Sequence, residues 1–268
     1  MSTEAEAIAK FAVMGMDTQR IDVEGIPFLL VPPGVGVHNM ESSLAVPRRI
    51  DEHRAFETVE SFAQYVNSFK AQETLLFAYR KANAVQAILD YHEGVKASHC
   101  SHKASLMLKH STDWLAWAGR SKAGLTAQVP FAEFLDEHIH CIAAPDGAVL
   151  RDMVLRFSST KETTFRSAVS LQNGDVQVVF IEDSERGTEG TTRLPSELDL
   201  RLVCFEGQLP VPVRAKLRYR VKEGALFFSV VLVGVEQIIE VAFRDALEAV
   251  ENLVGLVPMM SLATADNF

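Results

Sequence analysis

The fold is decided by residues 211–255, VPVRAKLRYRVKEGALFFSVVLVGVEQIIEVAFRDALEAVENLVG. Charged and apolar side chains alternate over residues 211–221, which predicts a β-strand with one solvated face. Residues 225–233 are apolar on both sides, which predicts a neighbouring strand that is covered on both faces. From residue 235 to residue 254 the apolar side chains recur at helical spacing, and Gly255 suits the end of a helix. The segment therefore predicts two strands closed by a long terminal helix.

Upstream of this segment, helical and strand-like patterns are mixed. Thr58 is a good N-cap for one helix, and Pro130 and Pro145 suit the first turns of two others. An Asn-Gly turn at residues 173–174 predicts a β-hairpin. The chain thus predicts an α+β fold of mixed helices and mostly antiparallel hairpins, with a C-terminal β-meander closed by the terminal helix. A short predicted strand begins at Pro27 and is closed by the Pro-Pro-Gly turn at residues 32–34, and the other predicted strands cover residues 74–80, 84–92, 102–110, 163–171, 175–182 and 198–205.

Four segments are predicted along the chain. The boundary between the two main lobes is placed near residues 143–147, and the sequence leaves open whether the lobes share one core. The segments are a flexible or helical N-terminal segment (1–24), an N-terminal α+β lobe (25–145), a C-terminal lobe of a helix, an antiparallel sheet and the terminal helix (146–255), and a tail (256–268).

Composition limits the class of protein. The 268 residues are 48% apolar and 23% charged, as in soluble globular proteins, and the net charge is −9. An acidic protein is not a general nucleic-acid coat, because such binding needs a basic face. Three cysteines cannot all pair within one chain and predict reduced thiols. The longest apolar runs fall well short of the roughly twenty residues that span a membrane. We therefore expect a cytoplasmic protein without membrane contact.

A row of cations is the strongest candidate binding feature. Because alternate residues of a strand share a face, all five cations of the predicted strand project together over roughly 27 Å. Phosphates or a nucleic-acid backbone could bind there. Alternatively, Glu197 and Asp199 on the preceding strand could pair with these cations across the sheet. The candidate anion-binding residues are Arg214, Lys216, Arg218, Arg220 and Lys222.

Two short segments are rich in histidine and cysteine, the side chains that zinc prefers. Their spacing matches no standard zinc pattern, and a Cys-x-x-Cys pair is absent. The sequence therefore predicts no metal and no cofactor, and it predicts partly exposed histidines beside buried thiols. The candidate ligands in these segments are His99, Cys100, His102, His138 and Cys141.

Motifs of catalysis are missing from the sequence. Gly-x-Ser-x-Gly, His-Glu-x-x-His, the phosphate-binding loop and Gly-x-Gly-x-x-Gly do not occur. Asp90 and His92 share a strand face and could form an acid–base pair, but such groups are more often surface hydrogen-bond clusters. The sequence thus favours a non-enzymatic protein and leaves an enzymatic role open.

Several stretches together resemble the YfdQ-like family of phage- and prophage-encoded proteins of unassigned function. The resemblance spans about residues 25–255 and implies a phage product in the cytoplasm of a bacterial host, with no catalytic residues to transfer. The stretches are SFAQYVN (61–67), AILDYHE (87–93), HKASLMLKHSTDWLAW (102–117), FAEFLD (131–136), FRSAVSLQNGDV (165–176) and AKLRYR (215–220).

These observations predict a non-enzymatic, homo-oligomeric phage accessory protein that binds a host factor or an anionic ligand, either a nucleotide or a nucleic acid. One alternative is an accessory factor that contacts single-stranded DNA during phage replication or recombination. A second is a structural assembly whose closed oligomer is the function. A third is a metal-dependent hydrolase built on the His and Cys residues together with Asp90.

Overall fold

The chain forms two compact units, residues 1–50 and residues 51–268. The structure, a computed structural model, describes residues 19–23, 26–30, 45–46, 49–156, 163–170, 176–182, 188–222 and 225–262. In the first unit, strands β1 (Gln19–Val23) and β2 (Ile26–Leu30) form an antiparallel hairpin. Strand β1 therefore occupies the end of the segment predicted to be flexible or helical, and residues 1–18 lie outside the described residues.

The described part of the second unit contains thirteen strands and five helices. Its helices are α1 (Val59–Phe69), α2 (Thr112–Ala123), α3 (Gln128–Glu137), α4 (Gly147–Arg156) and α5 (Val235–Val254). Its strands are β3 (Glu52–Phe56), β4 (Leu75–Tyr79), β5 (Ala84–Ile88), β6 (His102–Met107), β7 (Thr126–Ala127), β8 (Ile142–Ala144), β9 (Thr163–Ser170), β10 (Val176–Glu182), β11 (Thr188–Leu194), β12 (Glu197–Leu202), β13 (Val211–Lys222), β14 (Ala225–Leu232) and β15 (Met259–Leu262).

The first sheet has the strand order β15-β4-β5-β6-β3. Its three central strands are antiparallel, and the two edge strands β15 and β3 run parallel to their neighbours. Helix α1 begins at the predicted N-cap Thr58, whose side chain accepts a hydrogen bond from the Ser61 amide. Its buried residues Phe62 and Val66 pack on this sheet and form the first core.

The second sheet is antiparallel throughout, in the order β7-β14-β13-β12-β8. Its inner face packs against residues of helices α2, α3 and α4 and forms the second core. The rings of Phe131 on α3 and Phe228 on β14 stack there, with centroids 4.8 Å apart. A third sheet, β11-β10-β9, contains the predicted antiparallel pair β9–β10, and its strand β9 contacts β13 and β14.

Helix α5 belongs to both cores. Ala242 and Phe243 lie in the second core, whereas Val250 and Val254 lie in the first core beside α1. The residue that ends α1 also binds one of the last carbonyl groups of α5: Lys70 Nζ donates to the Val254 oxygen at 2.7 Å. Such bonds satisfy carbonyls that a helix end leaves without partners.

The predicted α+β class, with a C-terminal meander closed by a long helix, is confirmed. The predicted lobe boundary at residues 145–146 lies within the second unit, and the two-lobe division stays a prediction. Residues 259–262 of the predicted tail instead form β15, which pairs with β4. Among the described helices, none is long and apolar enough to cross a membrane.

Candidate functional site

The cation row lies on the outer face of the second sheet. Along β13, Val213, Ala215 and Leu217 are buried in the second core, and the residues between them are exposed. This alternation follows from the pleat of a strand, whose successive side chains point to opposite faces. The exposed residues include all five predicted cations, Arg214, Lys216, Arg218, Arg220 and Lys222.

One half of the row faces acidic residues, as the pairing alternative predicts. In the β12–β13 ladder, Glu197 lies opposite Lys216, and Asp199 lies opposite Arg214. Glu197 also approaches Arg214 diagonally, with 3.9 Å between Oε2 and Nε. Opposite charges at such positions attract each other across the strands. Glu197 and Asp199 therefore bring negative charge to this half of the row, beside the exposed Arg201 on the same face of β12.

The other half of the row extends beyond the acidic residues of β12. Arg218 lies opposite Ser229 and Arg220 lies opposite Phe227 on β14. Within the described ranges, neither arginine forms an ion pair. We call Arg218, Arg220 and Phe227 the open half of the row, because two exposed guanidinium groups there lack an acidic neighbour on the adjoining strands.

Phe227 is the aromatic side chain that sequence reasoning missed. It is half-buried and projects from the same sheet face as the cations, since residues directly opposite each other in a ladder share a face. Tyr219 lies on the other face, as the alternation predicts, and its ring packs edge-on against Phe228 at 5.6 Å. The open half therefore combines positive charge with one partly accessible aromatic ring.

Beside the row, the described residues form a depression rather than an enclosed cavity. The depression has a volume of about 420 Å³, lies beside the half of the row that faces β12, and is lined by Asp199, Arg201 and Arg214 among others. Small-molecule sites usually enclose most of their ligand within a concave pocket. An open face that carries its charges in a line is better suited to an extended polyanion than to a small anion that must be enclosed in a pocket.

The first group of candidate metal ligands is engaged in hydrogen bonds. His102 is buried, and its Nε2 atom lies 3.0 Å from the Tyr65 hydroxyl. His99 is exposed, and the Cys100 sulfur lies 3.7 Å from Nδ1 of His92. The structure thus separates the side chains of His99, Cys100 and His102 rather than joining them into a ligand set.

The possible acid–base pair of Asp90 and His92 is also engaged elsewhere. The Asp90 carboxylate accepts hydrogen bonds from the amides of Ser101 and His102, at 3.0 and 2.9 Å. Burial raises the pKa of Asp90, but these hydrogen bonds outweigh it and hold the pKa below its usual value. His92 Nδ1 accepts a hydrogen bond from the amide of Ser98. Asp90 is therefore an ionised carboxylate that holds the start of β6 in place.

In the second histidine- and cysteine-rich segment, His140 rather than His138 lies beside Cys141. His138 Nδ1 lies 3.0 Å from the carbonyl oxygen of Phe134, which lies on the helix that His138 ends. His140 instead reaches Asp113, with 3.0 Å between Nε2 and Oδ2, and Cys141 lies next to them. Within the part of the chain that the structure describes, Asp113, His140 and Cys141 are the one group of three or more side chains arranged to hold a metal ion.

The fold and the surface define an α+β protein with an exposed cationic sheet face. The chain belongs to the family described as an uncharacterized conserved protein (DUF2303), whose model matches residues 1–261. A search of curated proteins and a search of solved structures give no match. The more specific likeness to YfdQ-like phage proteins stays a prediction.

Proposed function

We propose that this protein binds single-stranded nucleic acid through the outer face of its second sheet. The observation that carries this proposal is the open half of the cation row, where Arg218 and Arg220 are exposed without an acidic residue opposite them. Phosphate neutralisation by arginine and lysine supplies most of the affinity in sequence-independent binding.

The geometry of the row favours a polymer over a mononucleotide. Neighbouring cations on one strand face lie about 6.8 Å apart, twice the rise per residue. Such a line of charges fits a chain of phosphates, whereas a single phosphate group engages one or two of them. The protein as a whole carries a charge of −9, which repels the same polymer elsewhere on its surface. Binding is therefore confined to this face.

Phe227 supplies the second element that single-strand binding needs. Proteins of this type pair a positive groove with aromatic rings on which bases stack. The Phe227 ring lies beside Arg220 on the same face, so a strand whose phosphates contact the arginine brings its bases near the ring. Stacking on an aromatic ring tolerates any base, which predicts binding with little sequence preference.

The test is fluorescence anisotropy of a labelled oligothymidylate with the wild-type protein and with Arg218→Glu/Arg220→Glu. We expect the double variant to lose binding without a change in melting temperature, because both side chains are exposed. Lys122→Glu/Arg244→Glu is the matched control, since it changes the net charge equally at exposed positions on α2 and α5. Equal losses in both variants, or no loss in either, would contradict the proposal.

We also propose that the protein acts as a homo-oligomeric phage accessory factor in the cytoplasm of a bacterial host. The family resemblance supports the phage role. Exposed apolar side chains on and after α5 support self-association, among them Val241, Leu253 and Leu256. Native mass spectrometry tests it: an oligomer gives a multiple of 29.6 kDa, and retained nucleic acid adds further mass. A bare monomer would refute self-association.

A host protein is the second candidate partner, because the same exposed arginines also fit an acidic protein surface. The anisotropy measurement separates the two candidates. Absence of oligothymidylate binding, together with loss of a host partner in Arg218→Glu/Arg220→Glu, would favour the protein partner.

A further inference from the structure

Asp113, His140 and Cys141 come together where helix α2 begins and helix α3 ends. Asp113 lies in the first turn of α2, which is capped by Ser111. His140 and Cys141 lie in the single 3₁₀ turn Ile139–Cys141 that follows α3. The Asp113 Oδ2 and His140 Nε2 atoms are 3.0 Å apart, and one ligand atom from each of the three residues lies within 4.8 Å of the others.

The turn that carries two of these residues is tightly held. The Cys141 amide donates to the carbonyl oxygen of His138 at 3.0 Å. Gly147, at the start of α4, packs so closely on the turn that a Cβ atom there would lie 2.7 Å from Cγ1 of Ile139. This packing fixes the backbone from which His140 and Cys141 project, so the arrangement does not depend on a free loop.

The three donor atoms select one class of metal. Imidazole nitrogen and thiolate sulfur are ligands of zinc and similar transition metals, whereas magnesium and calcium prefer oxygen alone. Three protein ligands with a fourth position left for water are typical of open zinc sites. One ionised carboxylate and one thiolate together balance the charge of a divalent cation. The donor set therefore favours zinc over magnesium or calcium.

The three residues differ in their exposure to solvent, with His140 the most exposed and Cys141 the most buried. Cys141 is only 2% exposed, whereas the side chains of Asp113 and His140 are 31% and 61% exposed. A metal ion can therefore enter past the histidine and meet the sulfur at the floor of the site. Metal sites need such an entry path.

The neighbour of the sulfur is Trp117, which is fully buried. Its indole Nε1 atom makes no hydrogen bond within normal distance. The indole N–H group lies close enough to the Cys141 sulfur to interact with it. A buried N–H group without an acceptor is costly, and a metal-bound thiolate would give it one. Trp117 therefore places a hydrogen-bond donor where a metal-bound thiolate would accept it.

We propose that Asp113, His140 and Cys141 bind one divalent transition-metal ion, zinc by their donor chemistry, in an open three-ligand site. This site lies outside the cation row and does not depend on nucleic-acid binding. It combines the predicted candidate Cys141 with His140 and Asp113, and it leaves His99, Cys100, His102 and His138 out.

The test uses Co²⁺ and Zn²⁺ alone as probes of the reduced, metal-stripped protein. We expect one Co²⁺ per chain with a sulfur-to-cobalt charge-transfer band, and displacement of that band by Zn²⁺. His140→Ala and Asp113→Asn should each weaken binding by at least about tenfold, the lower end of the loss seen when outer partners of a metal site are removed. Cys141→Ser should remove the band, and Cys100→Ser should keep it.

If Cys141→Ser fails to fold, the variant His140→Ala still tests the proposal, because His140 is exposed and its substitution should leave the fold intact. His140→Ala alters a side chain that is 61% exposed, so its fold can be checked by circular dichroism before the titration. Wild-type affinity in folded His140→Ala would overturn the proposal. So would a complete absence of Co²⁺ binding, or a band that disappears in Cys100→Ser and persists in Cys141→Ser. In the last case the Cys100–His92 pair would be the metal site.

Discussion

Phe227 on β14 lies directly opposite Arg220 on β13, and both side chains project from the outer face of the second sheet. Residues so placed have Cβ atoms roughly 5 Å apart. The pair therefore sets an aromatic face beside a guanidinium group at the part of the cation row that has no acidic residue opposite. This juxtaposition distinguishes the open half from a sheet face whose charges merely cancel.

Substitution of Phe227 by leucine should weaken binding of oligothymidylate. Leucine keeps the apolar contact with the sheet but removes the ring on which a base stacks. Loss of one stacking ring costs about 1–3 kcal/mol per base, which is roughly a 5-fold to 150-fold change in Kd. Anisotropy titration of the variant measures this loss. The control is Phe69→Leu on α1, which also removes a half-exposed ring, and its Kd should stay at the wild-type value.

Removal of the acidic residues opposite the row should extend the binding face. In Glu197→Gln/Asp199→Asn, the two cations opposite these residues lose their attraction to β12 and become available to phosphates. Affinity should rise, and the dependence of log K on log salt should steepen from about −1.4 for two phosphate contacts to about −2.8 for four. Anisotropy over a series of salt concentrations gives both slopes.

The control for this effect removes two negative charges elsewhere. Asp245→Asn/Glu248→Gln neutralises two exposed carboxylates on α5 and changes the net charge by the same amount. Its salt slope should remain at the wild-type value. An equal steepening in both variants would mean that total charge, rather than the ladder, governs binding.

Stability should fall at alkaline pH because of Cys204. Burial raises the pKa of this thiol to about 12, whereas an unfolded cysteine ionises near pH 8.5. From about one unit above that pH the unfolded chain has released a proton that the native chain keeps, so each further pH unit lowers the free energy of unfolding by roughly 1.4 kcal/mol. Urea unfolding at about pH 9.5, 10 and 10.5 measures the slope. Cys204→Ala should show a slope smaller by that amount, and an unchanged slope would contradict the assignment.

Thiol labelling should distinguish Cys100 from the other two cysteines. Cys141 and Cys204 are buried, whereas Cys100 is partly exposed. Burial and the Asp90 charge raise the pKa of Cys100, so it should react more slowly than a free thiol but faster than the buried pair. Ellman's reagent should modify one thiol in the native protein and three after unfolding. Cys100→Ser should abolish the native reaction, and two native thiols would show that a buried cysteine is accessible.

The cations of β13 could be placed from sequence because a strand has a period of two. Their cross-strand neighbours could not, since these depend on the register between strands. A shift of one residue would bring Phe228 opposite Arg220 and turn Phe227 toward the core. That register is fixed by the burial of Leu226, Phe228 and Val230 in the second core, which no single strand reveals.

The candidate metal ligands likewise depend on a contact between two helices, which local sequence cannot reveal. The sequence offers Cys141 only as a candidate ligand, because it lies in a histidine-rich segment, and Asp113 lies 27 residues before His140 on another helix. The contact exists because α2 and α3 both contribute to the second core, which brings the start of one near the end of the other. His138 was the more obvious local candidate, yet its Nδ1 atom lies against the carbonyl oxygen of Phe134 in the preceding helical turn.

The predicted tail illustrates a third case. Met259–Leu262 contains four residues, too few to give a periodic pattern, and it pairs in parallel with β4, which lies far away in the sequence. Parallel neighbours need long connections, so local sequence carries no sign of them. Only the position of α5, which delivers the chain to the edge of the first sheet, makes this strand possible.

Helix α5 has a consequence for how the second unit melts. Because its first half packs in one core and its second half in the other, neither core is complete without the whole helix. Two sheets joined by a shared helix should unfold together in one cooperative transition, whereas independent lobes would melt separately. A chain that ends before residue 235 would lack this helix and would expose both cores to solvent. Neither sheet is therefore expected to form a stable domain by itself.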